Sequence, residues 1–187
     1  MEIVELQNCN PSNWSGGTTT ELVIFPKGSS YKERNFDCRI SIATVEKYNS
    51  IYTPLSGFER TVLVLSGNLI LDWDNGRREH LVRGKSIQFA GSQETVCIGL
   101  ATNFNIMTSR KLKCQELSIH ENISEHVISE KQIFFVFTES TSIQISTQNQ
   151  AFTLHKEKLF HVRGPQKISI TTIQGKTYVA GLINVLS

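Results

Sequence analysis

The sequence predicts an all-β protein, built as a sandwich or a barrel. Residues 36–42 (Phe-Asp-Cys-Arg-Ile-Ser-Ile) alternate apolar and polar side chains, as a strand with one buried face does. Residues 61–65 are apolar or β-branched on both faces, which is typical of a strand covered on both sides. Residues 69–73 run into Asp74-Asn75-Gly76, which favours a tight hairpin because Asn and Gly tolerate positive φ.

Further short strands are predicted along the rest of the chain, separated by turn residues about every 8 to 12 positions. The stretch 118–129 is the one segment that we predict as a helix, and its apolar residues are poorly spaced for that structure. The further predicted strands cover residues 86–89, 94–100, 103–108, 133–138, 142–146, 151–154, 158–162, 167–173 and 177–185.

A faint internal repeat indicates that this β unit is duplicated. A shift of 73 residues aligns four pairs of identical residues and matches the strands on either side of them. The identical pairs are Leu81 and Leu154, Lys85 and Lys158, Gly91 and Gly164, and Gln93 and Gln166. We therefore predict two domains, residues 1–112 and 113–187. The same alignment sets Arg60 against Ile133, so a functional pocket is expected only in the first half.

Composition and charge argue against several classes of protein. The 187 residues carry a formal net charge of +2, and Lys and Arg are not gathered in one run as in most nucleic-acid binders. We find no signal peptide and no apolar run long enough to span a membrane. The cysteines are too far apart for a zinc or thioredoxin-like motif, so free thiols and a cytoplasmic location are expected. They are Cys9, Cys38, Cys97 and Cys114.

Four motifs in the first half resemble the HutD/Ves family and follow the family's order. Residues 13–21 resemble its Trp…Gly-Gly-x-Thr motif, and residues 39–43 (Arg-Ile-Ser-Ile-Ala) resemble its Trp-Arg-x-Ser-x-Ala strand. Residues 57–67 are similar to its Pro-Gly-x-x-Arg…Leu-x-Gly segment, and residues 103–107 to its Asp-Phe-Asn-x-Met signature. The second half resembles the family only in strand pattern and length.

The resemblance implies a cupin fold, the RmlC-like jelly roll, with two β-barrels in one chain (a bicupin). Family members have been tied to histidine utilisation as regulators, with a proposed role in sensing a formyl- or formimino-glutamate intermediate. This sequence departs from the family pattern in having Cys38 for Trp, Ser56 for Pro and Asn103 for Asp. The departures surround the approach to Arg60, so they leave open whether the ligand is the same.

The histidines predict neither a metal site nor another cofactor. A cupin metal site needs about three imidazoles and a carboxylate, typically beginning with a His-x-His pair. The five histidines include no such pair, and His120 and His126 are too far apart for a His-Glu-x-x-His motif. A Gly-x-Ser-x-Gly elbow is also missing, so nucleophilic catalysis is not predicted.

Arg60 is the leading candidate for binding a ligand. A planar guanidinium forms two parallel hydrogen bonds with a carboxylate, which a lysine ammonium cannot reproduce. The two-residue period of a strand places Arg60 on the same face as Val62. If that face lines a barrel, the charge needs an anionic partner, which is either a ligand or the carboxylate of Glu21 or Asp37.

Other polar residues complete the predicted site. Arg39 and Ser41 share one face of a strand, which lines a cavity or faces solvent at an edge. Residues 16–20 either cradle an anion with backbone and hydroxyl groups or form a plain turn. Only one of Phe104 and Asn105 can point inward. The predicted ligand-binding set is Arg60, Arg39, Ser41, Thr18, Thr20 and Asn105.

Three functions are compatible with these patterns. The leading hypothesis is a regulatory protein that binds a small anionic, carboxylate-bearing metabolite, without cofactor, nucleic acid or membrane, and for which enzymatic activity is not expected. The second is a metal-independent cupin enzyme, an isomerase or epimerase acting on a small acid or sugar, with Glu21 or Glu59 as base. The third is an interaction module, such as a homodimer, because cupins often pair through an edge strand.

Overall fold

Apart from one short 3-10 turn at Leu6–Asn8, the regular structure of the described residues in this computed structural model is all β-strand, as predicted. The structure describes residues 1–173 and 176–186. In chain order the strands are β1 (Glu2–Glu5), β2 (Pro11–Trp14), β3 (Gly17–Phe25), β4 (Cys38–Val45), β5 (Asn49–Tyr52), β6 (Phe58–Trp73), β7 (Arg78–Val82), β8 (Ser86–Ala90), β9 (Thr95–Ile98), β10 (Ala101–Ser109), β11 (Leu112–His120), β12 (Ser124–Ile128), β13 (Gln132–Thr138), β14 (Ile143–Thr147), β15 (Ala151–Leu154), β16 (Lys158–Arg163), β17 (Gln166–Thr171) and β18 (Tyr178–Val185). Among residues 1–173 and 176–186, no helix is long and apolar enough to cross a membrane.

The helix predicted over residues 118–129 is wrong, because β11 and β12 occupy this stretch. Side chains in β12 alternate between exposed and covered positions, and Ile128 at its end is buried. Val127 points outward with 79% of its surface exposed. Because Val127 faces solvent and the covered positions Ser124 and His126 are polar, the hydropathy of this stretch does not show the two-residue period of the strand.

Contacts divide the chain into two units. The central unit is Cys9–Lys113, and the terminal unit joins Met1–Asn8 with the residues from Cys114 onward. Residues 1–8 enter the terminal unit because β1 pairs with β16, from Glu2 opposite His161 to Glu5 opposite Lys158. The predicted domain of residues 1–112 includes these eight residues, because a single boundary along the chain cannot show that a strand pairs with a distant partner.

In the central unit, the long strand β6 takes part in two layers of the sheet. Its first part pairs with β10 and β8, and its second part pairs with β7 and β9. Gly67 lies between the two parts with φ +75, and a Cβ there would stand 2.2 Å from the carbonyl oxygen of Leu100. Only glycine fits such a position, so this residue allows β6 to pass from one layer to the other. The predicted hairpin at Asn75-Gly76 connects β6 to β7.

The strand order of the central unit recurs in the terminal unit. The order β8-β6-β10-β4 corresponds to β16-β13-β18-β11, and β5-β9-β6-β7 corresponds to β12-β17-β14-β15. Each unit also has its own cluster of buried apolar side chains. The duplication suggested by the repeat is therefore present in the topology.

Closure of the two units into separate barrels is not confirmed, because the sheets are open. In the described residues, the strand order of the central unit ends at β2 and β5, and the terminal unit consists of a five-stranded and a four-stranded sheet. A barrel requires its first and last strands to pair, with a fixed tilt and stagger. A sequence pattern shows which face of a strand is buried and carries no information on that pairing.

The gapless repeat is shifted by one residue in β13. Arg60 pairs with Phe89, and Val162, which the repeat aligns with Phe89, pairs with Phe134. Phe134 belongs to the apolar cluster of the terminal unit, whereas Ile133 lies on the other face of β13. Phe134, and not Ile133, therefore occupies the place of Arg60. A slip of one residue along a strand turns every side chain to the opposite face, so the alignment by sequence alone was wrong here.

Candidate functional site

A cavity of about 250 Å³ opens in the central unit. Three neighbouring strands, β4, β10 and β6, supply much of its polar wall, and three aromatic side chains supply much of its apolar wall. The lining residues are Ser12, Asn13, Trp14, Thr19, Tyr31, Arg39, Ala43, Tyr52, Thr53, Arg60, Asn103, Asn105 and Met107.

The register of the strands explains why distant polar residues meet in this cavity. Met107 of β10 lies opposite Arg39 on one side and Arg60 on the other. Two residues along β10, Asn105 lies opposite Ser41. Because side chains two apart share a face, all five project from the same side of the sheet.

Arg60 is buried without a carboxylate partner. Arg60 is 4% exposed, and one of its Nη atoms donates a hydrogen bond to the backbone oxygen of Thr53. The Nε has no hydrogen-bond partner, and no ion pair with Arg60 occurs in the part of the chain that the structure describes. Burial lowers the pKa of Arg60, and the nearby charge of Arg39 lowers it further, against the opposing effect of Tyr31 and Tyr52. A buried cation without a paired carboxylate is costly, so an anion in the cavity would stabilise it.

The two carboxylates that the sequence offered to Arg60 are paired elsewhere. Glu21 accepts a hydrogen bond from Arg39, with 2.7 Å between Oε2 and Nε. Asp37 lies 3.1 Å from Nζ of Lys111. The cavity therefore contains one guanidinium that is paired with a carboxylate, Arg39, and one, Arg60, that has no carboxylate partner among the described residues.

Uncharged polar atoms at the site also lack partners. Nδ2 of Asn103, Oδ1 of Asn105 and Oγ of Ser41 are buried and form no hydrogen bond with any described residue. Nearly all buried polar groups in folded proteins are hydrogen-bonded, so a cluster of exceptions needs an explanation. Here the exceptions surround or adjoin an open cavity, and a bound polar molecule would satisfy them.

Of the six predicted ligand-binding residues, three line the cavity: Arg60, Arg39 and Asn105. Ser41 is fully buried on the same face but is not one of the lining residues. Thr18 and Thr20 do not line it either, and Thr18 instead donates a hydrogen bond to Glu46. Thr19, which lies between them and opposite Ala43, is the threonine that faces the cavity.

Several lining residues were missed in the sequence. Asn103 could have been found, because it lies two positions before Asn105 on the same face of β10. Tyr31 and Thr53 come from segments between strands, where no periodic pattern indicates direction. Of the neighbours Phe104 and Asn105, Asn105 is the one that points into the cavity, and Phe104 is fully buried.

The corresponding positions in the terminal unit are apolar. Phe134 stands in the place of Arg60 and pairs with Leu182, as Arg60 pairs with Met107. Two residues along the neighbouring strand, Ala180 occupies the position that corresponds to Asn105. Phe134, Ala180 and Leu182 all belong to the core or pack against it. The polar lining is thus a property of the central unit.

A hydrogen-bonded cluster in the terminal unit lies beside Phe134. The ring of His126 is 4.5 Å from that of Phe134, and the ring of His120 stacks on Tyr178 at 5.4 Å. Ser124 bonds both Nε2 of His126, at 2.8 Å, and the hydroxyl of Tyr178, at 2.6 Å. Throughout the described ranges, no group of three or more His, Cys, Asp or Glu side chains is arranged to hold a metal ion.

Acidification between pH 7 and 5 is expected to destabilise the terminal unit. Burial lowers the pKa of His120 and of His126, although the carboxylate of Glu116 opposes this. Each histidine thus takes up its proton at higher pH in the unfolded chain, near 6.5, than in the folded one. Stability is complete above that value and falls as the pH drops toward the folded pKa.

Urea denaturation at several pH values tests this expectation. The variant His126→Gln should show a smaller loss of unfolding free energy between pH 7 and 5 than the wild type. His80→Gln, which changes an exposed histidine of the central unit, should keep the wild-type dependence. Equal pH dependence in His126→Gln and the wild type would contradict the assignment. Burial also lowers the pKa of His161, so part of the dependence should persist in the variant.

Comparison with known proteins agrees with this fold. The HutD family model matches residues 6–180. The conserved protein of unknown function PA5104 from Pseudomonas aeruginosa PAO1 is similar over 100% of this chain and 98% of its own, with a TM-score of 0.85 and 21% identity. HutD from Pseudomonas fluorescens SBW25 is similar over 97% of each chain, with a TM-score of 0.76 and 17% identity.

More distant similarity extends to Bacillus subtilis oxalate decarboxylase, with a TM-score of 0.65 and 7% identity over 100% of this chain and 77% of that one. A search of curated sequences finds no match. The structural neighbours support a cupin-like β fold. Since the HutD model extends over most of its length, the chain belongs to the HutD family.

Proposed function

We propose that the protein is a regulatory binding protein for a small carboxylate-bearing metabolite, which it holds in the cavity of the central unit. The observation that carries this proposal is Arg60, a buried guanidinium that borders open space and has no carboxylate partner in the described ranges. A carboxylate in the cavity would neutralise that charge and accept two hydrogen bonds from it.

The other polar groups at the cavity narrow the chemical class of the ligand further. Nδ2 of Asn103 requires an acceptor, and Oδ1 of Asn105 requires a donor. An amino acid whose nitrogen carries an acyl group supplies a carboxylate, an N–H donor and a carbonyl acceptor in one small molecule. Formyl-glutamate has this combination. Formimino-glutamate, whose amidine is protonated at neutral pH, supplies the carboxylates and the N–H donors. Both fit the role in histidine utilisation that the family resemblance implies.

Two expectations from the sequence belong to the same proposal. Each unit would act as a cupin barrel, and only the central one would hold a ligand at its mouth. The protein would work in the cytoplasm, where the four cysteines, which form no disulfide among the described residues, would stay reduced.

A catalytic role has less support from the geometry. A metal-independent isomerase or epimerase needs a general base within hydrogen-bonding reach of the substrate. Glu21 and Glu59, the two carboxylates considered for that role, are not among the residues that line the cavity. Glu21 is engaged with Arg39.

Thermal-shift measurements test the binding proposal. Formyl-glutamate, formimino-glutamate and other small dicarboxylates are added to the wild type, to Arg60→Ala and to Arg163→Ala, which removes an exposed arginine of the terminal unit. A ligand at about 100 times its Kd stabilises a protein by roughly 2.7 kcal/mol, which corresponds to several degrees in Tm. We expect that shift in the wild type and Arg163→Ala, and none in Arg60→Ala. If no ligand shifts the wild type more than Arg60→Ala, the proposal is wrong.

A further inference from the structure

Two arginines line the cavity, and they differ in what surrounds them. Arg39 has a side chain that is 6% exposed and is bound through Nε to Glu21, whose side chain is 35% exposed. The guanidinium carbon of Arg39 also lies 4.5 Å from the centre of the Tyr31 ring. Arg39 is therefore held on one edge by a carboxylate and on one face by an aromatic ring.

The charges at the cavity add up to one positive charge. Arg39 and Arg60 contribute two, and Glu21 contributes one negative charge through its contact with Arg39. Asp37 is paired with Lys111, and neither of them lines the cavity. A site with buried charged groups binds best the molecule that neutralises them, because any excess charge is left without a counter-charge nearby.

From this arrangement, and resting on the proposed function, we infer that Glu21 sets the charge of the ligand. The cavity prefers a molecule of net charge −1 to one of the same shape with net charge −2. Arg60 binds the single carboxylate. A second carboxylate near Arg39 would compete with Glu21 for the edge of the Arg39 guanidinium that carries Nε.

Glu21 is thus a specificity-determining residue that acts through Arg39, without lining the cavity itself. Replacing it with glutamine preserves its length and its ability to accept a hydrogen bond, but removes its negative charge. The cavity then carries two positive charges, and a ligand with two negative charges becomes the better match.

Isothermal titration with two ligands of nearly equal size tests this inference. N-formyl-L-glutamine has net charge −1, and N-formyl-L-glutamate has net charge −2. We expect the wild type to bind the glutamine compound more tightly. In Glu21→Gln, the ratio of the two Kd values should move about tenfold toward the glutamate compound, a modest effect because Glu21 is partly exposed to water.

Glu46→Gln is the matched control, since it removes a carboxylate that binds Thr18 and lies outside the cavity. Its Kd ratio should equal that of the wild type. Tighter binding of formyl-glutamate than formyl-glutamine by the wild type, or an unchanged ratio in Glu21→Gln, would overturn the inference and leave the proposed function standing. Failure of the wild type to bind either compound, or any ligand in the thermal-shift screen, would overturn both.

Discussion

Phe134→Ala is expected to lower the free energy of unfolding by about 3 to 5 kcal/mol. Phe134 is 1% exposed and belongs to the apolar cluster of the terminal unit, where it also touches the ring of His126. Removing the ring takes away apolar contacts and leaves a cavity that strands paired on both sides cannot close by moving together.

Urea denaturation followed by far-UV circular dichroism measures this loss. The control is Phe134→Leu, which keeps most of the volume and should cost about 1 kcal/mol. Similar losses for both variants would show that the aromatic ring does not fill the space. Such a result would also remove the explanation of why the terminal unit has an apolar core where the central unit has a polar cavity.

Arg60→Met is expected to raise the stability of the ligand-free protein by about 1 to 2 kcal/mol while abolishing ligand binding. Methionine has a similar length and no charge, so the cost of burying an unpaired guanidinium disappears. The Thr53 oxygen that loses its donor belongs to an exposed residue, where water can replace the lost bond. Stabilisation by the removal of a polar residue is typical of functional sites, which trade stability for activity.

Arg39→Met provides the contrast, again by urea denaturation. Arg39 already has Glu21 as a partner, so its loss leaves a carboxylate without its ion pair and should lower stability. If Arg60→Met were also destabilised, Arg60 would have a structural role in the free protein and would not be held there for an anion.

Features that follow from strand periodicity were predictable from the sequence. The all-β architecture, the hairpin at Asn75-Gly76 and the inward direction of Arg60 and Asn105 all depend on side chains alternating across a strand. The proposed chemistry comes from the type of residue, because a guanidinium on an apolar strand favours an anionic partner.

Features that depend on register or on loops were not predictable. A gapless alignment set Arg60 against Ile133, and one residue of slip in β13 puts Phe134 there instead. Tyr31, which packs on Arg39, comes from a segment between strands with no repeating pattern. The pairing of Glu21 with Arg39 joins strands that the chain separates by a loop, and residue type alone could not choose between Arg39 and Arg60.

The pairing of β1 with β16 has a consequence for how the protein is made. The first strand leaves the ribosome about 150 residues before its partner, and the whole central unit is synthesised in between. Such distant pairing forms late, after units with more local contacts. A fragment that begins after Lys113 would lack β1, so the edge of β16 would be exposed. The N–H and C=O groups along that edge could then pair with strands of other chains, which favours aggregation.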